Sequence, residues 1–403
     1  MMTTPTVRIR PSTISDFAHN TLLHSLPPLA LYIHVPWCVR KCPYCDFNSH
    51  KMPETLPEKA YLAALRADLE QALPLIWGRS VVSVFIGGGT PSLLSAGAID
   101  EMMSMLRAYL SLQPTAEITL EANPGTAEAA RFSAYAQSGI NRISLGIQSF
   151  NDHALGALGR VHDAAQAKAA ITYALDSFKR INLDIMYSLP NQSIEESLLD
   201  INTALSFNPS HLSLYHLSLE PNTVFAKYPP VLPSEDESAD MQDALIQLTA
   251  EQGYEHYEVS AYAKPGFQAE HNRNYWEFGD YLGIGPGAHS KLSFHDRILR
   301  ESRLSNPQSW IDQAVRNDGS HIANSYAVAA AELPFEFMLN ALRLREGVPA
   351  EYFEERTGQP LSVILPTIRS AIDKGLIEPH PSRIKASELG WRFLTDLQEM
   401  FLE

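Results

Sequence analysis

Short runs rich in valine, isoleucine and leucine recur through the first half of the chain. They are "LYIHV" (Leu31 to Val35), "VVSVFI" (Val81 to Ile86), "EITLE" (Glu117 to Glu121), "RISLGI" (Arg142 to Ile147), "INLDIMY" (Ile181 to Tyr187) and "HLSLYHL" (His211 to Leu217). Their length and branched side chains predict strands. After the first run, Leu62, Leu65, Leu69 and Leu73 mark one face of a helix. Comparable helices are expected over Ala96 to Leu110, Ala127 to Gln137, Ala164 to Phe178, Ile194 to Leu205 and Glu237 to Glu251. Six strand–helix units in series predict an α/β protein with a parallel sheet, because each crossover helix returns the chain to the same end. Six units fall short of the eight in a closed barrel. A partial (βα)6 barrel over residues 30–290 is therefore the expectation, with a doubly wound sheet as the alternative.

Ligands of either architecture gather at the carboxyl ends of the strands. Directly after the runs come a cysteine-bearing loop, "GGGTPS", Glu121 with "ANPGT", Gln148 with "SF", "SLPNQ" and "SLEPNT". Polar and glycine-rich segments thus collect at one end of the sheet. "HYEVSAYA", "HNRNYW" and "YLGIGPGAHS" are expected to finish the barrel, and residues 291–324 to form an irregular linker. Residues 325–403 carry three helical patterns and a hairpin-like "EPHPSRIKAS", which predicts a winged-helix-like domain. Residues 1–29 read as a loose tail, with a transit peptide as the weaker alternative.

The chain has 403 residues, 45% of them hydrophobic, enough for a substantial core. Its formal net charge of −15 argues against nonspecific binding to nucleic acid or anionic membranes, which needs a basic surface. From Ser325 onward twelve acidic side chains face eight basic ones. That balance is wrong for a DNA-reading wing, so this domain is expected to cover the barrel or bind a partner. No run of 18 apolar residues occurs, so no membrane span is expected.

All three cysteines, Cys38, Cys42 and Cys45, fall within "CVRKCPYC". An odd, clustered set argues against a disulfide framework and for the reducing cytoplasm. Thiolates are soft ligands that select iron–sulfur clusters, Zn²⁺ or Cu(I). Three of them can hold a [4Fe–4S] cluster with one iron left open, while a structural zinc would take His34 or His50 as a fourth ligand. From spacing, both readings stand.

The spacing C-x3-C-x2-C, with an aromatic before the third cysteine, resembles the radical S-adenosylmethionine (SAM) superfamily. The flanking "YIHVPWC" and "FIGGGTPS" are similar to the oxygen-independent coproporphyrinogen III oxidases and their heme-chaperone relatives, from Leu31 to the C-terminus. The resemblance implies that Cys38, Cys42 and Cys45 ligate a [4Fe–4S] cluster whose open iron is gripped by SAM. It further implies a SAM site lined by Tyr32, Tyr44, Gly88, Gly89 and Thr90. Glu121 would face the amino group, Arg160 the methionine carboxylate through a bidentate fork, and Asp184 the ribose hydroxyls. Gln148, Ser218 and His289 match further positions of that site, although His289 departs from the oxidases in residue type.

Phe47, beside the SAM site, stands where the oxidases carry a fourth cysteine, and the chain lacks their longer N-terminal segment. Both departures match the chaperone branch. So does "HNRNYW", whose His271, Asn272, Tyr275 and Trp276 match a signature associated with heme. From the residues alone, packing under a loop is the preferred reading of His271 and Trp276, and the resemblance reverses it. The resemblance implies a chaperone, monomeric or homodimeric, that holds heme and passes it to an unspecified acceptor protein, a transiently met membrane protein included. The alternatives are a SAM-cleaving enzyme of porphyrin biosynthesis and, from the zinc reading, a DNA-binding regulator.

Overall fold

The computed structural model describes residues 23–125 and 129–402. All six expected strands form: β1 (Leu29–Val35), β2 (Ser80–Gly88), β3 (Ser111–Ala122), β4 (Arg142–Gln148), β5 (Arg180–Tyr187) and β6 (His211–His216). They pair in chain order and in parallel. The crossover helices are α1 (Glu58–Ala72), α2 (Ala96–Tyr109), α3 (Phe132–Gln137), α4 (Ala164–Ser177), α5 (Ile194–Ser206) and α6 (Glu235–Glu251). The expected start of the third helix, Ala127, lies outside the described residues. Reciprocal capping boxes start three of these helices, from Asp163 with Gln166, Ser193 with Glu196, and Ser234 with Glu237.

Strand alternation sorts the two faces of the sheet. Ile143, Leu145, Ile181, Leu183, Leu212 and Leu214 point to the helices and join one large hydrophobic core. Their neighbours Ser144, Asn182, Asp184 and Ser213 line the interior cavity together with Glu121. The inside of this barrel is polar, so it is built to hold something other than its own side chains.

The sheet extends further than six strands. β7 (Glu255–Glu258) and β8 (Ala261–Ala263) add antiparallel beyond β6, and β9 (Asp280–Ile284) pairs in parallel on the free side of β1. β10 (His289–Ser293), β11 (Ile298–Arg303) and β12 (Ile322–Ala327) continue as an antiparallel meander. The full order is β12-β11-β10-β9-β1-β2-β3-β4-β5-β6-β8-β7, and the end strands do not pair with each other. The barrel is partial and open.

Residues 291–324 are thus not an irregular linker but strands and a helix (Pro307–Ala314) of the main sheet layer. The reason is a buried charge network. Asp68 of α1 accepts from Arg303 Nε (3.0 Å), His321 Nε2 (3.1 Å), Trp310 Nε1 (3.2 Å) and the Gly285 amide (3.1 Å). Such a carboxylate fixes the meander to the helix layer. The end of the expected tail is also fixed. Leu23 is buried and exchanges hydrogen bonds with His295, while residues 1–22 lie outside the described residues.

The C-terminal helices Leu333–Ala341, Glu351–Thr357 and Leu365–Asp373 build a second core around Phe337, Phe353 and Leu397. Val348–Pro349 pairs with Arg383–Ile384 to form a small wing. Tyr257, Phe278 and Ile298 of the barrel layer belong to this same core, so the wing domain covers one side of the sheet. Among the described residues no helix is long and apolar enough to cross a membrane.

Asp68→Ala leaves Arg303 buried without its main counter-charge. The expected loss is about 3–5 kcal/mol of unfolding free energy in a urea titration, and a loss under about 1 kcal/mol would contradict this account of the meander.

Candidate functional site

The cysteine loop leaves β1 at Val35 and returns through a short parallel pairing of Trp37–Cys38 with His50–Lys51. His50 N donates to Pro36 O (2.7 Å) and Met52 N to Cys38 O (2.8 Å), which closes the loop at its base. All three cysteines are free thiols and partly exposed. They line one wall of a cavity of about 610 Å³ at the carboxyl ends of the parallel strands. Arg160 Nη1 lies 3.6 Å from Cys42 Sγ, and Ser49 Oγ lies 3.7 Å from Cys45 Sγ. Burial pushes the Cys38 thiol up. A soft donor set beside a buried guanidinium suits a thiolate-held group of net negative charge.

The zinc reading loses its first candidate ligand. His34 has both ring nitrogens engaged, Nδ1 with Tyr32 Oη (2.8 Å) and Nε2 with Asn48 O (2.9 Å). His50 Nε2 meets Asn48 Oδ1 at 3.0 Å. Among the described residues no three His, Cys, Asp or Glu side chains are grouped to hold a single metal ion.

The glycine turn after β2 lies directly against this loop. Gly88 has φ +109°, and a Cβ there would stand 2.4 Å from the His34 ring. A Cβ on Gly89 would stand 2.6 Å from Trp37 O. Gly89 N and Thr90 N donate to Val35 O and Trp37 O, both at 2.7 Å. The glycines therefore serve the loop's own seating as much as any ligand.

Gly88 N donates to Glu121 Oε2 (3.0 Å). Burial, reinforced by nearby Asp184, pushes the Glu121 carboxyl up to about 8. Asp184 is also raised by burial, while Ser144 Oγ (3.0 Å) and Asn182 Nδ2 (2.8 Å) donate to it. Two strained carboxyls facing one cavity await a cation and hydrogen-bond donors. Arg160 Nη2 is held by Asn123 Oδ1 and Gly146 O, both at 2.7 Å. Gln148 lines the same cavity from a left-handed backbone, φ 69°. Ser218 Oγ donates to Glu220 (2.6 Å) on the cavity lining.

Tyr32, Tyr44, Phe47, Gly88, Gly89, Thr90, Glu121, Gln148, Arg160, Asp184 and Ser218 all come together here with the three cysteines. His289 does not. It lies exposed on β10, beyond β9 on the other side of β1, and lines a neighbouring cavity of about 550 Å³. Sequence reading missed Asn123, Ser144, Asn182 and Ser213. Asn123 directly follows β3, which ends at Ala122, and the other three occupy inward positions on the consecutive strands β4, β5 and β6, so period-two patterning could have found them.

The "HNRNYW" segment forms the short helix α7 (Glu270–Trp276) and divides between the two cavities. His271, Asn272 and Tyr275 line the first, while Tyr275 and Trp276 line the second. His271 is buried, its Nδ1 3.1 Å from Glu117 Oε1 and its ring centroid 4.3 Å from that of Phe85. Burial lowers its pKa, so it is a neutral imidazole donating Nδ1–H to Glu117. Burial alone would push Glu117 up, but Arg142, His271 and Arg180 outweigh it and hold the carboxyl at about 2. Trp276 carries the Arg343 guanidinium 4.1 Å above its ring.

A heme chaperone HemW of Escherichia coli (strain K12) is 47% identical over 379 residues, covering 94% of this chain and 99% of its own. The chain belongs to the HemW family. The HemW of Haemophilus influenzae is likewise 47% identical over 94% of the chain and 98% of its own, and that of Bacillus subtilis 32% identical over 89% and 95%. Residues 32–201 match the Radical SAM superfamily and residues 328–393 the HemN C-terminal domain. The solved coproporphyrinogen III oxidase (HemN) of E. coli shares the fold with TM-score 0.79 at 22% identity, over 96% of this chain and 92% of that one. This HemW-family chain therefore has the radical SAM fold with the HemN-type C-terminal domain.

Glu121 sets a pH dependence. Its folded pKa of about 8 lies above that of an unfolded glutamate. Between the two values the folded state keeps a proton that the unfolded chain has lost, so stability falls as pH rises through this window. Glu121→Gln in the cofactor-free protein is expected to gain stability over wild type from pH 5 to 8, at most about 1.4 kcal/mol per pH unit. A difference between the two melting curves that stays flat with pH would refute the buried carboxyl.

Proposed function

We propose that this chain is a cytoplasmic heme chaperone on a radical SAM scaffold. Cys38, Cys42 and Cys45 hold a [4Fe–4S] cluster, and SAM occupies the first cavity. Heme is taken up at the segment from His271 to Trp276 and handed to an acceptor protein. Bound there, the cluster supplies an iron with an open position and a redox-active centre. The chain's own residues do the rest of the binding. Glu121, as a carboxylate, would accept from the SAM amino group, Asp184 would accept from ribose hydroxyls, and Arg160 would pair with the methionine carboxylate while it offsets the charge at Cys42.

The observation that carries this reading is the composition of one cavity lining. Three free thiols share it with Glu121, Asp184 and Arg160, and a phenylalanine, 60% exposed, stands two residues after the third cysteine. Membership of the HemW family supports the heme part. A second reading, a porphyrin-processing radical SAM enzyme, is favoured by the fold shared with HemN.

Anaerobically reconstituted protein is expected to carry about four irons and four sulfides per chain, and Cys42→Ser to lose most of them. It is expected to take up hemin and to leave coproporphyrinogen III intact. Rapid decarboxylation would favour the second reading, and a chain that binds no iron would remove both.

A further inference from the structure

The second cavity is lined by none of the three cysteines, yet it shares Tyr32, Phe47, Phe85, Gly88, Glu121 and Tyr275 with the first. Its volume, about 550 Å³, suits a ligand of cofactor size. Tyr275, Trp276, Phe278, Tyr281 and Phe47 give it an aromatic lining, with Tyr275 and Tyr281 edge to face at 4.8 Å. Arg300 adds a cation to the lining, its guanidinium set by Tyr281 Oη (2.7 Å) and Glu336 (2.7 Å). A flat, largely apolar ring with anionic substituents is the chemistry that fits such walls.

Two imidazoles line this cavity, His34 and His289. His34 has both nitrogens committed. His289 is exposed and lines the cavity, and no side-chain hydrogen bond among the described residues engages its ring. Partial burial and the nearby Arg300 lower its pKa, which keeps a lone pair free near neutrality. His271 does not reach this cavity, because it lines only the first and lies against Phe85, one of the side chains that line both. The aromatic half of the heme-associated segment therefore faces one cavity and its histidine the other.

Resting on the heme-chaperone reading, we propose that the tetrapyrrole lies in the aromatic cavity with His289 as the ligand to its iron. His271 is then a positioning residue. Through Glu117 and Phe85 it fixes the helix that presents Tyr275 and Trp276.

The test is titration of hemin into full-length wild type, His289→Ala and His271→Ala, followed by visible spectra with and without added imidazole. His289→Ala is expected to weaken hemin binding at least tenfold, to shift the Soret maximum, and to regain the wild-type spectrum when imidazole fills the vacated position. His271→Ala is expected to lower the melting temperature, with a hemin spectrum that imidazole does not change. A wild-type spectrum and affinity in His289→Ala, or imidazole rescue confined to His271→Ala, would overturn the assignment. Wild-type protein that takes up no hemin would overturn the heme reading itself, and this inference with it.

Discussion

Three backbone segments meet at the exit of β1 with no room for a side chain between them, and the site depends on that approach. The cysteine loop starts between the glycine turn after β2 and the glycine turn after β9. A methyl group on Gly88, Gly89 or Gly285 would collide with His34 or Trp37 at 2.4 to 2.6 Å. Pinned there by the Val35 and Trp37 carbonyls, Cys38 begins at a fixed point on the cavity wall, and the loop can hold three thiols apart without a fourth anchor.

The interior follows a second constraint. Strand alternation sends every other residue inward, and here many of those residues are polar, so each of these must find a partner. The lower barrel answers this with a hydrogen-bonded and ion-paired network. His211 meets Asn182 (2.6 Å) and Tyr257 (2.9 Å), and Asn182 donates to Ser144 (2.8 Å). Glu117 gathers Arg180 (3.1 Å) and His271. Higher up, Glu121 and Asp184 are left with raised pKa values and few donors. Stability is secured below, while carboxyls with raised pKa values are kept at the cavity above.

Much of this was legible in the residues. The six parallel strands, their helices and the clustering of functional segments at one end follow from periodicity and from the direction each crossover imposes. The three-cysteine loop, Glu121 and Asp184 stand out as thiols and acids where hydrophobic patterning predicts none. The meander over residues 291–324 was not legible, because its strands are held by Asp68, more than 200 positions away in the chain, and no local pattern records that bond. His289 was misplaced for a related reason. It follows a glycine-rich turn like the one beside the cysteine loop, but β9 adds on the opposite side of β1 and carries it to another cavity.

The sequence by itself determined the kinds of chemistry present and the order in which they occur, since side-chain identity and strand period are local properties of the chain. Tertiary structure alone decided which of these groups share a space. "HNRNYW" is one continuous stretch, yet a short helix wedged between two cavities gives its histidine to one and its tryptophan to the other. That division comes from packing against Phe85, Glu117 and Arg343, three residues drawn from distant segments, and it exists only once the chain has folded to bring them together.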